Sequence, residues 1–513
     1  MRLCLQVLVA TPLAALAVLI LPVPAPGQGV DEVWTASCAR CHGDQGQGGG
    51  AGTRTLLDEV YTTSGSDREL FEATKHGRQD GGMPPFGATM SDEQIWALTV
   101  YIRELQARAK RERTGSPQAD ERGVYPSQHH RYRIETVIEQ GLDTPWAVDF
   151  PPGRDGAPGP MLVTNRSGAL QVWTVGTLSP PLAGTPRVRN QGQGGLMDVA
   201  VHPDYPLNGW VYLTYSDELE TGESSPGMTK VVRGKLAGQP GTQRWVDQQT
   251  VFEAKHEHYM ASNHHFGSRI AFQKAPKPGP SGAAYYLYFT LGERGRMENA
   301  QELALPNGKA HRLWDDGTIP DDNPFSARSE EAYASIWTYG NRNPQGLAFD
   351  LEGNLWATEH GPRGGDELNL LLPGKNYGWP LVSHGINYNG APFRTPWPDL
   401  STPNLATDAV AMPVFHWLPS IAACGLDVVR PGPLGETFPQ WRGDLLAGGL
   451  GGETVQRLRL EPDPGAPLGK RVAEREEILH GLGRVRDVAV GLDGSVYVVL
   501  NGPDKVIRLV RPE

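Results

Sequence analysis

Two thiols and an imidazole stand together at Cys38-Ala39-Arg40-Cys41-His42. Sulfurs spaced C-x-x-C can each form a thioether to a porphyrin vinyl group, and the histidine directly after them can bind the iron, which is the attachment pattern of a c-type haem. The same spacing serves zinc sites and thiol redox centres. Zinc needs a second Cys/His pair, and the remaining cysteines are Cys4, in an N-terminal apolar run, and Cys424, isolated far downstream and expected to be a buried thiol. A thiol redox motif sits between strand and helix of a βαβ unit, and none is legible here. Cys38 and Cys41 are therefore the expected covalent attachments and His42 the first iron ligand. The second is expected at Met83, within Gly81-Gly82-Met83-Pro84-Pro85-Phe86, where prolines stiffen a loop that can hold a thioether at a fixed distance from the metal. Met90 competes for that role, although a lone methionine more commonly fills core space.

These residues need helices to position them. Ser91-Asp92-Glu93-Gln94 reads as a capping box, and Ile95, Leu98, Ile102 and Leu105 repeat at helical spacing on one face. Residues 29–108 are accordingly expected to form a small all-α cytochrome c domain. Ahead of it, Arg2, an apolar run from Leu3 to Val23 and small residues around Ala25 and Gly27 read as a cleaved signal peptide over residues 1–28. That leader, and a covalent haem, place the mature chain in the periplasm with no permanent membrane span. The chain of 513 residues is too long for one ordinary core, and its net charge of -11 without a dense Lys/Arg run argues against a nucleic-acid partner.

After the cytochrome, residues 109–128 carry charge and then Ser, Pro, Gly and Asp, and read as a linker. Beyond them a strand, a turn and a second strand recur. Ala147–Phe150 precedes Met161–Thr164, Met197–Val201 precedes Val211–Thr214, and Arg269–Phe272 precedes Tyr286–Thr290. Gly346–Phe349 precedes Asn354–Thr358, Leu426–Val429 precedes Asp444–Ala447, and Asp487–Val490 precedes Ser495–Val499. Six copies of one antiparallel unit close radially more readily than they form a sandwich, so residues 129–513 are expected to be a mainly β, six-bladed β-propeller. The glycine-rich runs at Gly46–Gly50 and Gly449–Gly452 lack the strand-to-helix setting of a nucleotide-binding turn.

Polar residues that break this pattern gather at the ends of the repeated strands. They include Gly192-Gln193-Gly194-Gly195-Leu196, His265-Phe266-Gly267-Ser268-Arg269 and Gly340-Asn341-Arg342-Asn343-Pro344-Gln345-Gly346-Leu347. Glu359-His360-Gly361-Pro362-Arg363-Gly364-Gly365-Asp366-Glu367-Leu368-Asn369, Gly374-Lys375-Asn376-Tyr377-Gly378-Trp379-Pro380 and Arg484-Val485-Arg486-Asp487 complete the set. With these stretches the sequence resembles the soluble quinoprotein sugar dehydrogenases, the glucose/sorbosone and aldose sugar dehydrogenase group, over most of residues 135–510. The resemblance implies pyrroloquinoline quinone (PQQ) and calcium as cofactors. It makes His265, with His264 beside it as the alternative, the general base at a sugar C1 hydroxyl; an imidazole titrates near working pH. It makes Arg342 and Asn343 quinone contacts and Arg484 and Arg486 carboxylate clamps, since guanidinium groups bind and stabilise anionic oxygens. Gln193, Tyr388 and Ser420 resemble further pocket positions. Glu367 and Tyr377 fall where aldose-type members place calcium, and Gly361 and Pro362 where glucose-type members hold the ion against the quinone; calcium takes oxygen ligands.

One departure stands out. Where the family often carries Leu-Lys before a further basic residue, this chain has Gly449-Leu450-Gly451-Gly452-Glu453, and Arg457 is the basic residue that could reach in. The expected activity is oxidation of an aldose, or a related aldehyde or alcohol, to lactone or acid, with electrons passed to the haem and onward to a soluble cytochrome or oxidase. The alternative is a cofactor-free propeller that binds carbohydrate or protein beside an independent electron-transfer cytochrome, since propellers host many binding roles.

Overall fold

Each of the six strand–turn–strand repeats becomes the inner half of an antiparallel blade in the computed structural model. The structure describes residues 27–49, 54–57, 66–153, 159–219, 225–239, 241–279, 281–328, 331–395 and 410–512. The leader expected over residues 1–28 lies, but for its last two residues, outside them.

The inner strands are Pro145–Asp149, Leu196–Val201, Ile270–Lys274, Pro344–Phe349, Ala423–Val428 and Arg484–Val490, numbered here as blades one to six. Neighbouring inner strands pack against each other around a ring that closes from blade six back to blade one. Blade six takes its outer strand from the start of the domain: Arg131–Ile138 pairs with Lys505–Val510, with Arg133 opposite Val510. That exchange joins the two ends of the chain and leaves no open edge within the ring. Turns such as the one holding Gly353 (φ 85°) and the one holding Gly494 (φ 75°) need the left-handed backbone that glycine adopts freely.

Two side-chain devices stitch the ring. Threonines on second strands donate to the next inner strand: Thr164 to Met197 O at 2.6 Å, Thr214 to Ser268 O at 2.8 Å, Thr290 to Pro344 O at 3.0 Å, and Thr358 to Cys424 O at 2.8 Å. Aspartates on inner strands accept backbone N–H from the neighbouring blade: Asp149 from Val201 at 2.6 Å, Asp198 from Ile270 at 2.8 Å, Asp427 from Val490 at 2.7 Å, and Asp487 from Val148 at 3.1 Å. Both exploit backbone at the inner edge of each blade, since the inner strand pairs with a strand of its own sheet on one side only. Arg269 then ties the channel. Its Nη1 lies 3.0 Å from Asp198 and 2.7 Å from Asp487, Nε donates to Gln345 O and Nη2 to Arg486 O, both at 2.8 Å, and its plane sits 4.2 Å over the Trp146 ring. A buried guanidinium is tolerated because its charge is matched and its donors are used.

The N-terminal domain is helical. Val30–Ser37 leads into the short turn Ala39–His42, Asp67–His76 starts at a capping box of Ser66 and Glu69, and Asp92–Thr114 starts at the expected box of Ser91 and Gln94. Ile95, Leu98, Ile102 and Leu105 are buried as their spacing requires, around Trp34, Phe71, Phe86 and Trp96. The last helix does not stop where the linker was expected at residue 109. It continues to Thr114, because Arg111 forms a two-pronged pair with Glu477 of blade five at 2.8 Å and so holds the extra turns against the propeller. At the far end, Tyr125–Pro126 already pairs with Arg131 and Tyr132. The connection is thus shorter than residues 109–128 and is anchored along its length.

Candidate functional site

At the haem-type motif, Cys38 caps the first helix and packs against the small core, Ala39–His42 forms one tight turn, and the His42 ring lies 6.3 Å from that of Trp34. His42 Nδ1 is buried without a hydrogen-bond partner. Burial pushes the Cys38 thiol up to about 12, the opposite of a thiol redox centre, whose sulfur is held as thiolate. Among the described residues no group of three or more His, Cys, Asp or Glu stands ready for zinc. Met83 lies half-buried on its loop, fixed by a backbone bridge to Arg78, whereas Met90 is packed into the core beside Phe86 and Ile95. The two methionines therefore differ in setting: Met83 is the more accessible and Met90 is part of the core.

In the propeller, His265 stands on the loop that enters blade three with its backbone left-handed (φ 54°). Three contacts hold it there. Its N–H donates to Gln193 Oε1 at 2.8 Å, Asn343 Oδ1 accepts the Gly267 N–H at 3.0 Å, and Gly292 lets the loop approach, since a Cβ there would sit 2.4 Å from His265 O. The imidazole Nδ1 lies 2.7 Å from Glu293 Oε1, and the Glu293 side chain is 2% exposed. That bond assigns the proton to Nδ1 and leaves Nε2 as the basic nitrogen. Burial holds the imidazole below its usual pKa and Arg342 lowers it further, while Glu293 pulls the other way. His264 is exposed and contributes its carbonyl to Arg294, so the geometry chooses His265 of the two neighbours.

Glu293 is a residue that sequence reasoning missed. The signal was present as Gly292-Glu293-Arg294-Gly295 directly after a fully buried strand, Tyr285–Leu291, but its partner is 28 positions upstream. It also ties the base to the arginine, because its N–H donates to Arg342 O at 2.9 Å.

Arg342 is buried, with Nη1 donating to His360 O and Nη2 to Tyr388 Oη, each at 3.2 Å, while its N–H is held by Glu359 Oε2 at 2.7 Å. Its Nε, the Asn343 Nδ2 and the His360 Nε2 are buried without partners. Such groups are costly unless something fills them. Tyr388 keeps its ring 71% exposed above this cluster. The two channel arginines are not equivalent. A register shift between Val485 and Asp487 puts Arg486 on a bulge, where Nη1 donates to Gln345 Oε1 at 3.0 Å and the plane lies 5.6 Å over Trp146. Arg484 remains exposed. Simple alternation on one strand would have placed both alike, and the bulge overrides it. Cys424 is buried as expected, its Sγ–H donating to Arg486 O at 3.0 Å.

Two further positions differ from expectation. Ser420 spends its hydroxyl on Asp366, 2.8 Å from either carboxylate oxygen, so it shapes the loop rather than facing a pocket. The Tyr377 hydroxyl donates to Leu370 O and accepts from Leu372 N–H at 2.9 Å, so an ion there would meet its carbonyl rather than its phenol. Arg457 does not reach the channel: it is fully buried in blade five between Asp444 (2.6 Å), Glu476 (3.0 Å) and Glu474 (3.2 Å). The hairpin of Gly451 and Gly452 closes against Ile421 and Ala422.

Glu367 does belong to an ion-type arrangement, but with an unexpected companion. Asn369 Nδ2 bridges Glu367 Oε2 at 3.0 Å and Glu359 Oε1 at 2.8 Å, and Asn369 Oδ1 is buried without a partner. Burial raises both carboxyl groups above their usual range, and Glu367 raises Glu359 further. Two such groups side by side call for a shared proton or a hard cation. Gly361 and Pro362 lie on the adjoining loop, where Gly361 N–H donates to Asp366 Oδ1 at 2.9 Å.

A family model described as Glucose / Sorbosone dehydrogenase matches residues 142–509. The chain belongs to that family. A second model, Cytochrome C oxidase, cbb3-type, subunit III, matches residues 25–102. An aldose sugar dehydrogenase of Escherichia coli (strain K12) is 38% identical over 378 residues, covering 73% of this chain and 92% of that protein. The apo-form crystal structure of the soluble aldose sugar dehydrogenase from Escherichia coli superposes with a TM-score of 0.60 at 36% identity, covering 74% of this chain and all of that one (100%). The PQQ-bound form of an aldose sugar dehydrogenase from Streptomyces coelicolor gives a TM-score of 0.53 at 26% identity, over 77% of this chain and 99% of that one. As a member of this family with an added cytochrome domain, the chain presents a mouth whose unfilled donors, Arg342 Nε and Asn343 Nδ2, fit a group rich in acceptor oxygens, and an acidic pair that fits a hard divalent ion.

Proposed function

We propose that this chain is a periplasmic, PQQ- and calcium-dependent dehydrogenase that oxidises an aldose, or a related aldehyde or alcohol, to lactone or acid and delivers the electrons to its own haem c. The observation that carries the reading is the His265–Glu293 pair beside Arg342: a base fixed in one tautomer, next to a buried cation with an unused donor. His265 Nε2 accepts the proton of the sugar C1 hydroxyl, and Glu293 stabilises the imidazolium that results. When bound, PQQ supplies the two-electron acceptor for the hydride that leaves C1. Arg342 and Arg486 offer positive charge where negative charge accumulates, and Asn343 orients the histidine loop while its Nδ2 faces the mouth. Glu359 and Glu367, with Asn369 and neighbouring carbonyls, would hold calcium. Cys38 and Cys41 would hold the haem covalently, and His42 and Met83 would bind its iron. A soluble cytochrome or an oxidase would reoxidise it.

The binding-module alternative draws on the missing lysine, and the retained base and arginine oppose it. Adding PQQ, calcium and an aldose to the haem-loaded chain and following the haem α band separates the two. Haem reduction that requires all three supports the dehydrogenase; a band that answers to no sugar or alcohol supports the binding module. His265→Ala is expected to abolish turnover while PQQ still binds, and undiminished turnover would remove His265 as the base.

A further inference from the structure

One loop has a foot in each half of the molecule. Ile386 of blade four is fully buried inside the cytochrome core, in contact with the cluster of Trp34, Trp96 and Val100. Four residues on, Gly390 O accepts the Val30 N–H at 2.9 Å, the first turn of the helix that runs into Cys38. Between them Tyr388 takes the Arg342 guanidinium at 3.2 Å. The loop is braced by a two-way backbone bridge between Ile386 and Arg363 (2.9 and 3.0 Å), and Arg363 clamps Glu104 of the long cytochrome helix with two bonds of 2.9 and 2.7 Å. Beside it, His384 lies edge-on to Trp96 at 6.4 Å, and His416 and Arg103 share Asp67 at 2.7 and 2.6 Å.

We infer that residues 384–391 are the electron-transfer contact between the propeller mouth and the cytochrome, and that the cytochrome stays docked there through turnover. Mobile domain pairs meet through polar surfaces with little shared core. Here an apolar side chain of one domain completes the core of the other, and the flanking ion pair is mostly buried, with Arg363 23% and Glu104 16% exposed. The route is continuous: from the Arg342 contact through Tyr388, Asn389 and Gly390 to Val30, then along the helix that ends at Cys38. The inference rests on the dehydrogenase reading above. Oxidation at C1 releases two electrons and two protons; the electrons pass singly to ferric haem, and a one-electron acceptor outside the chain must reoxidise the haem between them.

The test uses the full haem-loaded chain. In the absence of PQQ, hydrogen exchange should show amides of residues 384–391 protected together with those of helix Asp92–Thr114. Glu104→Lys should deprotect the loop, and the charge swap Glu104→Lys with Arg363→Glu should restore it. With PQQ and calcium added, aldose-driven haem reduction should slow at least tenfold in Glu104→Lys and recover in the swap, while turnover with a small soluble dye stays unchanged in Glu104→Lys. Unchanged protection in Glu104→Lys, unchanged haem reduction, or wild-type haem reduction that slows with solvent viscosity would each overturn the fixed contact. Absence of dye turnover in the wild type would instead refute the dehydrogenase reading, and the exchange result would still judge the docking.

Discussion

Replacing Glu293 by Gln removes one negative charge and one of the two acceptor oxygens. The amide oxygen can still accept from His265 Nδ1 across the present 2.7 Å, while the NH2 group cannot accept the Gly295 N–H that Glu293 now binds. What is lost is the charge-assisted part of the bond, about 1.5 kcal/mol when a bond to an ionised group becomes a neutral one. That loss falls on the imidazolium formed as the proton leaves the sugar, so kcat should drop roughly tenfold with KM nearly unchanged. The sign of the pH effect follows from the same bond. Glu293 raises the His265 pKa against burial and Arg342, so its removal lowers it. The neutral imidazole is the active base, and the rate climbs as pH rises through that pKa. The acid limb of the kcat profile should therefore move to lower pH. The assay is dye-linked turnover of the PQQ- and calcium-loaded chain from acid to neutral pH. A kcat within about twofold of wild type together with an unmoved limb would refute the orientation of His265 by Glu293.

Other outcomes can be checked more simply. Met83→Ala should lower the haem reduction potential by redox titration, because a thioether opposite histidine raises it; an unmoved potential would transfer the ligand role to Met90. Arg457→Ala should cost about 1.5–3 kcal/mol of stability in denaturant titration, since it removes the buried cation shared by Asp444, Glu474 and Glu476 and leaves Asp444 with Arg459 alone, and should leave PQQ affinity as it was. Loss of PQQ affinity with unchanged stability would restore Arg457 to the cofactor site.

Local information was legible in the chain. The capping box at Ser91 and the six strand pairs depend on neighbours within a few residues, or on one turn, and the structure has each where its spacing requires. The helical extension to Thr114 was not legible. It is held by Glu477, 366 positions away, and overrides a composition that reads as linker.

The sequence by itself determined the chemistry on offer: a C-x-x-C-H pentapeptide, a histidine, several arginines and a repeat whose hydrogen bonds close into blades. Only the tertiary structure decided which groups meet. It put Glu293 on His265, Glu359 beside Glu367, Arg457 out of reach and Ile386 inside the cytochrome core. Periodicity reports which face of a strand is buried, whereas a propeller brings together the loops at the ends of its strands. Those loops follow no period, and their partners lie one blade or a whole domain away.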